Sequence, residues 1–270
     1  MNDGSLDIQD LTVRFGGLTA LDDVTLMAVP KQVTGIIGPN GAGKTTLLNA
    51  VCGFVRPQAG RVRFDGKDLT RIRPHQLARL GIARTLQGVG LFGGLSVLEN
   101  VMVGATRHAR TGFWWALSGL PLSDRDERRL RERGLAALDR VGAADLADRM
   151  PPTLAHGPRK RVALARALAC EPRLLLLDEP ASGLSDDELS ELGHLIGRLA
   201  ADVGVLVIEH RMDLMMSVCD RIFVLDFGKL IADGTPRQVQ ENPVVTEAYL
   251  GTAVSGADDQ PVASKQASDE

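Results

Sequence analysis

The octapeptide GPNGAGKT, Gly38 to Thr45, decides the fold of this 270-residue chain. It matches the pattern G-x-x-x-x-G-K-[ST], which joins a buried strand to a helix. Both neighbours are predicted here, because QVTGIIG precedes it as a short apolar strand and leucines at helical spacing follow it. Small residues let backbone N–H groups from Asn40 to Thr46 surround a β-phosphate, while Lys44 reaches the β- and γ-oxygens. The predicted ATP-binding residues are Gly38, Asn40, Gly41, Ala42, Gly43, Lys44, Thr45 and Thr46, and the Thr45 hydroxyl is also a candidate Mg²⁺ ligand.

A second motif is LLLLDEP, Leu174 to Pro180. Its four leucines predict a buried strand that delivers Asp178 to the carboxyl edge of a sheet, where the side chain can bind Mg²⁺. Glu179 comes next and is suited to polarise an attacking water molecule. A small-molecule kinase needs no such base, because its nucleophile is a bound substrate. The pair of carboxylates therefore favours hydrolysis of ATP.

The remaining patterns predict an α/β fold with a parallel sheet. Apolar runs such as VGVLVIEH belong to strands buried on both faces. The segment from Leu6 alternates apolar and polar residues around Gly16–Gly17, which predicts an antiparallel β subdomain at the N-terminus. An inserted helical subdomain is predicted at about 90–168, inside an ATPase domain that spans 1–251. The small, polar residues 252–270 are expected to be disordered.

Composition excludes several classes of function. The formal net charge is −3 and aromatic residues make up 4%, so neither a basic surface nor a base-stacking platform for nucleic acid is expected. The three cysteines lie far apart, which suits a reduced cytosol and predicts no zinc site. No signal peptide and no apolar run of about 18 residues is visible, so a membrane role would require a partner.

Together these motifs resemble the ATP-binding cassette (ABC) family, the ATPase subunits of ABC transporters, from about residue 6 to residue 251. The resemblance implies further site residues. Gln87 matches a glutamine that touches Mg²⁺ and the attacking water, and His210 matches a histidine that contacts the γ-phosphate. Phe15 matches an aromatic residue that stacks on adenine. Without the resemblance, His210 would be read as a polar cap on a strand and Phe15 as a core residue.

The stretch LAHGP, Leu154 to Pro158, stands where this family has its signature, typically L-S-G-G-Q. Gly157 leaves a backbone N–H open to a phosphate, and the following helix directs its positive end at an anion. The resemblance implies that two subunits pack head to tail around two ATP molecules, so Ala155, His156 and Gly157 would contact the nucleotide of the partner. Ala155, His156 and Pro158 depart from the usual signature, and Ser185 stands where aspartate is common. These departures leave open whether both composite sites are equally active.

Finer features resemble the LivG-type ATPase of branched-chain amino-acid importers, namely FGGLTALDDV, the helical insertion and the ending ADGTPRQVQENPVVTEAYLG. This resemblance implies a LivF-like second cassette, two transmembrane permease subunits, an extracellular solute-binding protein and a place at the cytoplasmic face of the membrane. A cassette for urea, amides or other amino acids remains an alternative, as does a catalytically weak regulatory subunit. An ABC ATPase that acts on DNA or ribosomes is disfavoured, because the chain has one cassette and no sustained heptad. Trp114 and Trp115 could dock the permease or pack within the insertion.

Overall fold

The computed structural model describes residues 4–85, 88–108 and 121–255. Ten strands are assigned within these ranges: β1 Leu6–Phe15, β2 Leu18–Ala28, β3 Val33–Ile37, β4 Ala59–Phe64, β5 Lys67–Asp68, β6 Ile82–Arg84, β7 Leu174–Asp178, β8 Gly204–Ile208, β9 Arg221–Asp226 and β10 Lys229–Gly234. The α-helices there are α1 Lys44–Val51, α2 Leu77–Leu80, α3 Val97–Ala105, α4 Pro121–Arg140, α5 His156–Leu168, α6 Asp186–Ala200, α7 Met212–Val218, α8 Pro236–Gln240 and α9 Pro243–Ser255.

A six-stranded sheet forms the centre of the fold, in the order β10-β9-β3-β8-β7-β6. Five of its strands are parallel, and only the β9–β10 hairpin is antiparallel. Every residue of β3, β7 and β8 is buried, because side chains that alternate along each strand enter two different cores. Leu175 and Leu177 face a core shared with α5 and α6, whereas Leu174 and Leu176 face one shared with α1 and the N-terminal strands. The predicted parallel sheet is thus confirmed.

The N-terminal strands form a second, antiparallel sheet in the order β2-β1-β4-β5. Gly16–Gly17 turns β1 into β2 at the position that the sequence analysis predicts, and Asp65–Gly66 turns β4 into β5. One face of this sheet carries the alternating apolar residues of β1, which pack onto α1 and the central sheet. The antiparallel subdomain is confirmed, and it covers the face of the central sheet that carries α1.

Helices α3, α4 and α5 lie between β6 and β7 and pack on one another. Ser96 caps α3 by accepting a hydrogen bond from the N–H of Glu99. The buried amide of Asn100 donates to the carbonyls of Phe92, Leu95 and Ser96, so it fixes the chain entering α3. The insertion boundaries of 90 and 168 stay predictions. Trp114 and Trp115 lie outside the described residues.

At the C-terminus, Thr235 caps α8 with Pro236 at its first turn, and α9 follows as far as Ser255. Helix α9 thus extends four residues past the domain boundary predicted at Gly251, and residues 256–270 lie outside the described part of the chain. Within the described ranges, no helix combines the length and the apolar character that a membrane crossing requires.

Candidate active site

The loop from Gly38 to Gly43 connects β3 to α1, which begins at Lys44. Gly38 and Gly43 adopt φ angles of 154° and 103°, where side chains are disfavoured. A Cβ atom would lie 2.1 Å from the carbonyl oxygen of Leu225 at Gly38, and 2.6 Å from that of Ala20 at Gly43. The loop is therefore wedged between β9 and β2, and only glycine fits at these two positions. Asn40, Gly41 and Ala42 lie between them, and Thr45 and Thr46 occupy the first turn of α1.

Lys44 is buried, and its ammonium group lies across its own loop. The Nζ atom donates hydrogen bonds to the carbonyl oxygens of Gly38 (2.6 Å) and Pro39 (2.8 Å). Desolvation lowers the pKa of Lys44, and the negative charge of Glu179 acts in the opposite direction. The ammonium group of Lys44 is therefore close enough to the carboxylate of Glu179, the base predicted from the sequence, for the two charges to interact.

The turn between β9 and β10 fastens this loop to the N-terminal sheet. Gly228 donates its N–H to the carbonyl of Ala42 (3.0 Å) and accepts a hydrogen bond from the N–H of Asp22 (2.8 Å). Phe15, at the end of β1, is 50% exposed. The predicted adenine-stacking residue is therefore available to a ligand, and it is not part of the core.

Asp178 ends β7 with its side chain buried and paired to Arg84 at the end of β6. The two side chains are 2.7 Å apart, and Arg84 also donates to the amide oxygen of Asn49 in α1 (2.8 Å). This pairing was not predicted from the sequence. The available signal was a lone arginine at the carboxyl end of the apolar run GIAR, since parallel strands bring such ends together.

Glu179 continues the ladder by donating its N–H to the carbonyl of Ile208 (2.9 Å). Its φ of 46° is in the left-handed region, which costs a non-glycine residue about 1–2 kcal/mol. Backbone strain of this kind is concentrated at functional sites, where surrounding contacts hold it in place.

His210 follows β8, the strand next to β7, and the two strands end at the same edge of the sheet. Its side chain is 53% exposed, whereas the preceding Glu209 is entirely buried. The Glu209 carboxylate accepts hydrogen bonds from the N–H groups of Ala181 (2.6 Å) and His210 (3.1 Å). Sequence reasoning missed Glu209, although a charged residue directly after VLVI was visible.

The signature stretch forms the start of α5, with Ala155 as its N-cap. It rests on the segment that follows Glu179 in the same chain. His156 Nε2 is 3.2 Å from the carbonyl oxygen of Ser182, and Lys160 donates to the carbonyl of Pro180 (2.7 Å). Desolvation lowers the pKa of Lys160, against the effect of nearby carboxylates. A cavity of about 350 Å³ lies alongside and reaches from Gly157 to Glu179.

Ser185, which stands where the family commonly has aspartate, has a structural role. It caps α6 by accepting from the N–H of Glu188, while the Glu188 carboxylate accepts from the Ser185 N–H. The same carboxylate lies against Gly157, where a Cβ would be 2.1 Å from its Oε1. The substitution therefore preserves an ordered start for α6 next to the signature.

The residues at this edge suit Mg²⁺ bound with a nucleotide. Among the described residues, no group of three or more His, Cys, Asp or Glu side chains could hold a metal alone. Mg²⁺ usually takes one or two protein oxygens and completes its coordination with phosphates and water. Asp178 and Thr45 are such oxygen donors, so the set fits a metal that arrives with ATP. Gln87 lies outside the described residues.

Comparison with known proteins agrees with this geometry. The family described as ABC transporter matches residues 21–182, and that described as Branched-chain amino acid ATP-binding cassette transporter matches residues 229–255. The chain is 44% identical over 250 residues to the high-affinity branched-chain amino acid transport ATP-binding protein BraF of Pseudomonas aeruginosa, covering 92% of this chain and 98% of BraF. It is 39% identical over 255 residues to LivG of Escherichia coli K12, covering 94% of this chain and all of LivG.

Solved structures give the same result. A nucleotide-free ATP-binding cassette from an ABC transporter superposes with a TM-score of 0.80 at 31% identity, covering 91% of this chain and 98% of that one. A cassette in its ADP conformation gives a TM-score of 0.79 at 31% identity, covering 92% and 99%. With the phosphate-binding loop, the paired carboxylates and the signature on one fold, the chain belongs to the ABC transporter family of ATP-binding cassette ATPases.

Proposed function

We propose that this chain is the ATP-hydrolysing subunit of an importer for branched-chain amino acids, located at the cytoplasmic face of the membrane. One observation carries the proposal: the parallel strands β3, β7 and β8 end at one edge of the sheet, where they lead into the loop before Lys44, into Glu179 and into His210, in a chain whose residues 229–255 match the branched-chain amino acid cassette family. BraF and LivG bear names for high-affinity transport of those solutes. A cassette for urea, amides or other amino acids is the alternative.

In this proposal the loop from Gly38 to Thr46 binds the phosphates of ATP through its backbone N–H groups. Lys44 exchanges its carbonyl partners for phosphate oxygens, and Phe15 stacks on adenine. Asp178, Thr45 and Gln87 would hold Mg²⁺. The metal neutralises charge on the β- and γ-phosphates when bound.

Glu179 then acts as the general base for water. A base must lie beside the reacting phosphate, and Glu179 follows β7 at the sheet edge where β3 leads into the glycine loop, which supports this role. His210 contacts the γ-phosphate and steadies its charge as the bond to the β-phosphate breaks. The products are ADP and inorganic phosphate, with the proton from water passing to Glu179.

The signature residues Ala155, His156 and Gly157 are proposed to complete the site of a second cassette, a LivF-like chain in a heterodimer. The start of α5 supports this, since backbone N–H groups at a helix N-terminus attract phosphate. Closure and reopening of the pair would drive two permease subunits, to which an extracellular binding protein delivers the solute.

The permease is proposed to dock in a groove of about 610 Å³ lined by Phe54, Phe92 and Val103. These side chains are between 39% and 59% exposed, and large apolar groups clustered at a surface mark interaction sites. Complexes purified through a tag on a Phe92→Asp chain should lack the permease, and the variant chain should still bind nucleotide.

The decisive experiment uses the complex purified through a tag on this chain. Glu179→Gln should slow hydrolysis by about 10²–10⁴-fold while ATP still binds, because only the base is lost. Leucine, isoleucine and valine, each with the binding protein, should stimulate the wild-type rate, whereas urea and amides should not. Turnover by Glu179→Gln at the wild-type rate would remove Glu179 from the mechanism. A wild-type complex that binds ATP without hydrolysing it would favour the regulatory alternative.

A further inference from the structure

Glu209 is a buried carboxylate that joins two loops of the site. Its side chain has no exposed surface. One oxygen, Oε1, accepts the N–H of Ala181 at 2.6 Å, two residues beyond Glu179. The other, Oε2, accepts the N–H of His210 at 3.1 Å and lies 3.6 Å from the His210 Nδ1 atom. A single side chain thus contacts both loops that carry the proposed catalytic groups.

Folding alone does not account for a charge at this position. Burying a carboxylate costs free energy even when hydrogen bonds compensate, and an apolar residue of similar volume often gives equal or higher stability. Glu209 directly follows the apolar strand VLVI, where an apolar residue would extend the core. The nearby ammonium of Lys160, on the signature helix, supplies partial electrostatic compensation.

We propose that Glu209 is a positioning residue for ATP hydrolysis: its carboxylate sets the distance between the segment that follows Glu179 and the loop that carries His210. The inference rests on the roles proposed above for Glu179 and His210. A carboxylate suits this task because both of its oxygens accept hydrogen bonds, so each oxygen can serve one loop. In glutamine a donating NH₂ group replaces one of these oxygens, so it would face the N–H of either Ala181 or His210 without accepting from it.

The test compares Glu209→Gln with the wild-type chain in the purified complex. We expect kcat to fall by about 10- to 100-fold, because a catalytic group displaced by an ångström loses about that much. The KM for ATP should stay within twofold of the wild-type value, since the phosphate-binding loop is not contacted by Glu209. Glu241→Gln is the matched control, because Glu241 is an exposed carboxylate that pairs with Arg237 on α8, and it should leave kcat unchanged.

Glu209→Asp is the second variant, and it keeps the charge while withdrawing it by one methylene. It should show the same drop in kcat, and hydrogen exchange at residues 179–185 should become faster in both variants. A merely structural role would lower the melting temperature and the yield but leave kcat per folded molecule unchanged. Either variant folding normally with kcat within twofold of wild type would overturn the inference.

Failure of the inference can be separated from failure of the proposed function. If Glu179→Gln and His210→Ala hydrolyse ATP at the wild-type rate, the proposed catalytic roles are wrong, whatever Glu209 does. If those two variants are slow while Glu209→Gln is not, only the positioning role is wrong. In a His210→Ala background, Glu209→Gln should cost less than in the wild type, because one of its two loops has already lost its catalytic group.

Discussion

Removal of the Arg84 charge should show how much this residue contributes to stability by compensating the buried charge of Asp178. The two side chains retain only 13% and 2% of their exposure, and their atoms approach to 2.7 Å. Arg84→Met keeps an extended apolar stem but removes the guanidinium. Asp178 then keeps a buried negative charge without its cation, and the amide oxygen of Asn49 also loses a donor.

The magnitude follows from this burial. Breaking a buried ion pair by removing one partner costs about 3–5 kcal/mol, because the remaining charge is uncompensated. The slight exposure of Arg84 places the expected loss near 3 kcal/mol. With a urea dependence of roughly 3 kcal/mol per molar, the unfolding midpoint should fall by about 1 M. The double variant Arg84→Met, Asp178→Asn should regain most of that loss, because neither charge remains.

The assay is urea unfolding followed by circular dichroism, in buffer with EDTA and without nucleotide. Arg237→Met is the control, since Arg237 forms an exposed pair with Glu241, and its midpoint should not change. Addition of Mg²⁺ and ATP should narrow the gap between Arg84→Met and the wild type, because a cation would again face Asp178. A midpoint shift below about 0.3 M, or a double variant no more stable than Arg84→Met, would refute the reasoning.

Three further predictions concern glycines and cysteines. Gly38→Ala should weaken ATP binding at least about tenfold in a fluorescent-nucleotide titration, because its Cβ atom would lie 2.1 Å from a carbonyl oxygen of β9. Gly17→Ala is the control, since a Cβ atom at Gly17 would face open space, and this variant should bind ATP normally. Gly104→Ala should lower the unfolding free energy by about 1–3 kcal/mol, because the new methyl group would lie 1.9 Å from the carbonyl oxygen of Arg166. Gly197→Ala should instead raise the unfolding free energy by about 0.5–1 kcal/mol, because its methyl group would face open space on α6. The three buried thiols should react with a thiol reagent at pH 8 only after unfolding, since burial raises their pKa values; fast reaction of the folded protein would contradict this.

Much of the fold could be predicted because its signals are local. The glycine motif that begins at Gly38 predicts a strand before it and a helix after it. The consecutive leucines of β7 are all apolar, so the strand must be buried on both faces, between two cores. The turns at Gly16 and Gly66 follow from residues that tolerate positive φ.

The polar contacts behind the site could not be predicted in the same way. The hydrogen bonds described above for Arg84, Glu209 and Lys160 join them to residues 94, 28 and 20 positions away in the chain. No local spacing encodes such pairs, because strand order decides which ends meet. For Arg84 and Glu209, a charged residue at the end of an apolar strand was a hint, and it did not identify the partner.

The contacts of His156 and Lys160 have one mechanical consequence. Hydrogen bonds join the beginning of α5 to the carbonyls of Ser182 and Pro180, so a displacement of either segment strains its contacts with the other. Pro180 directly follows Glu179, so a displacement of the start of α5 would also act on the peptide that carries this carboxylate. If Glu179 activates water as proposed above, a partner's nucleotide bound at the signature would act through this segment on the water-activating group of the same chain.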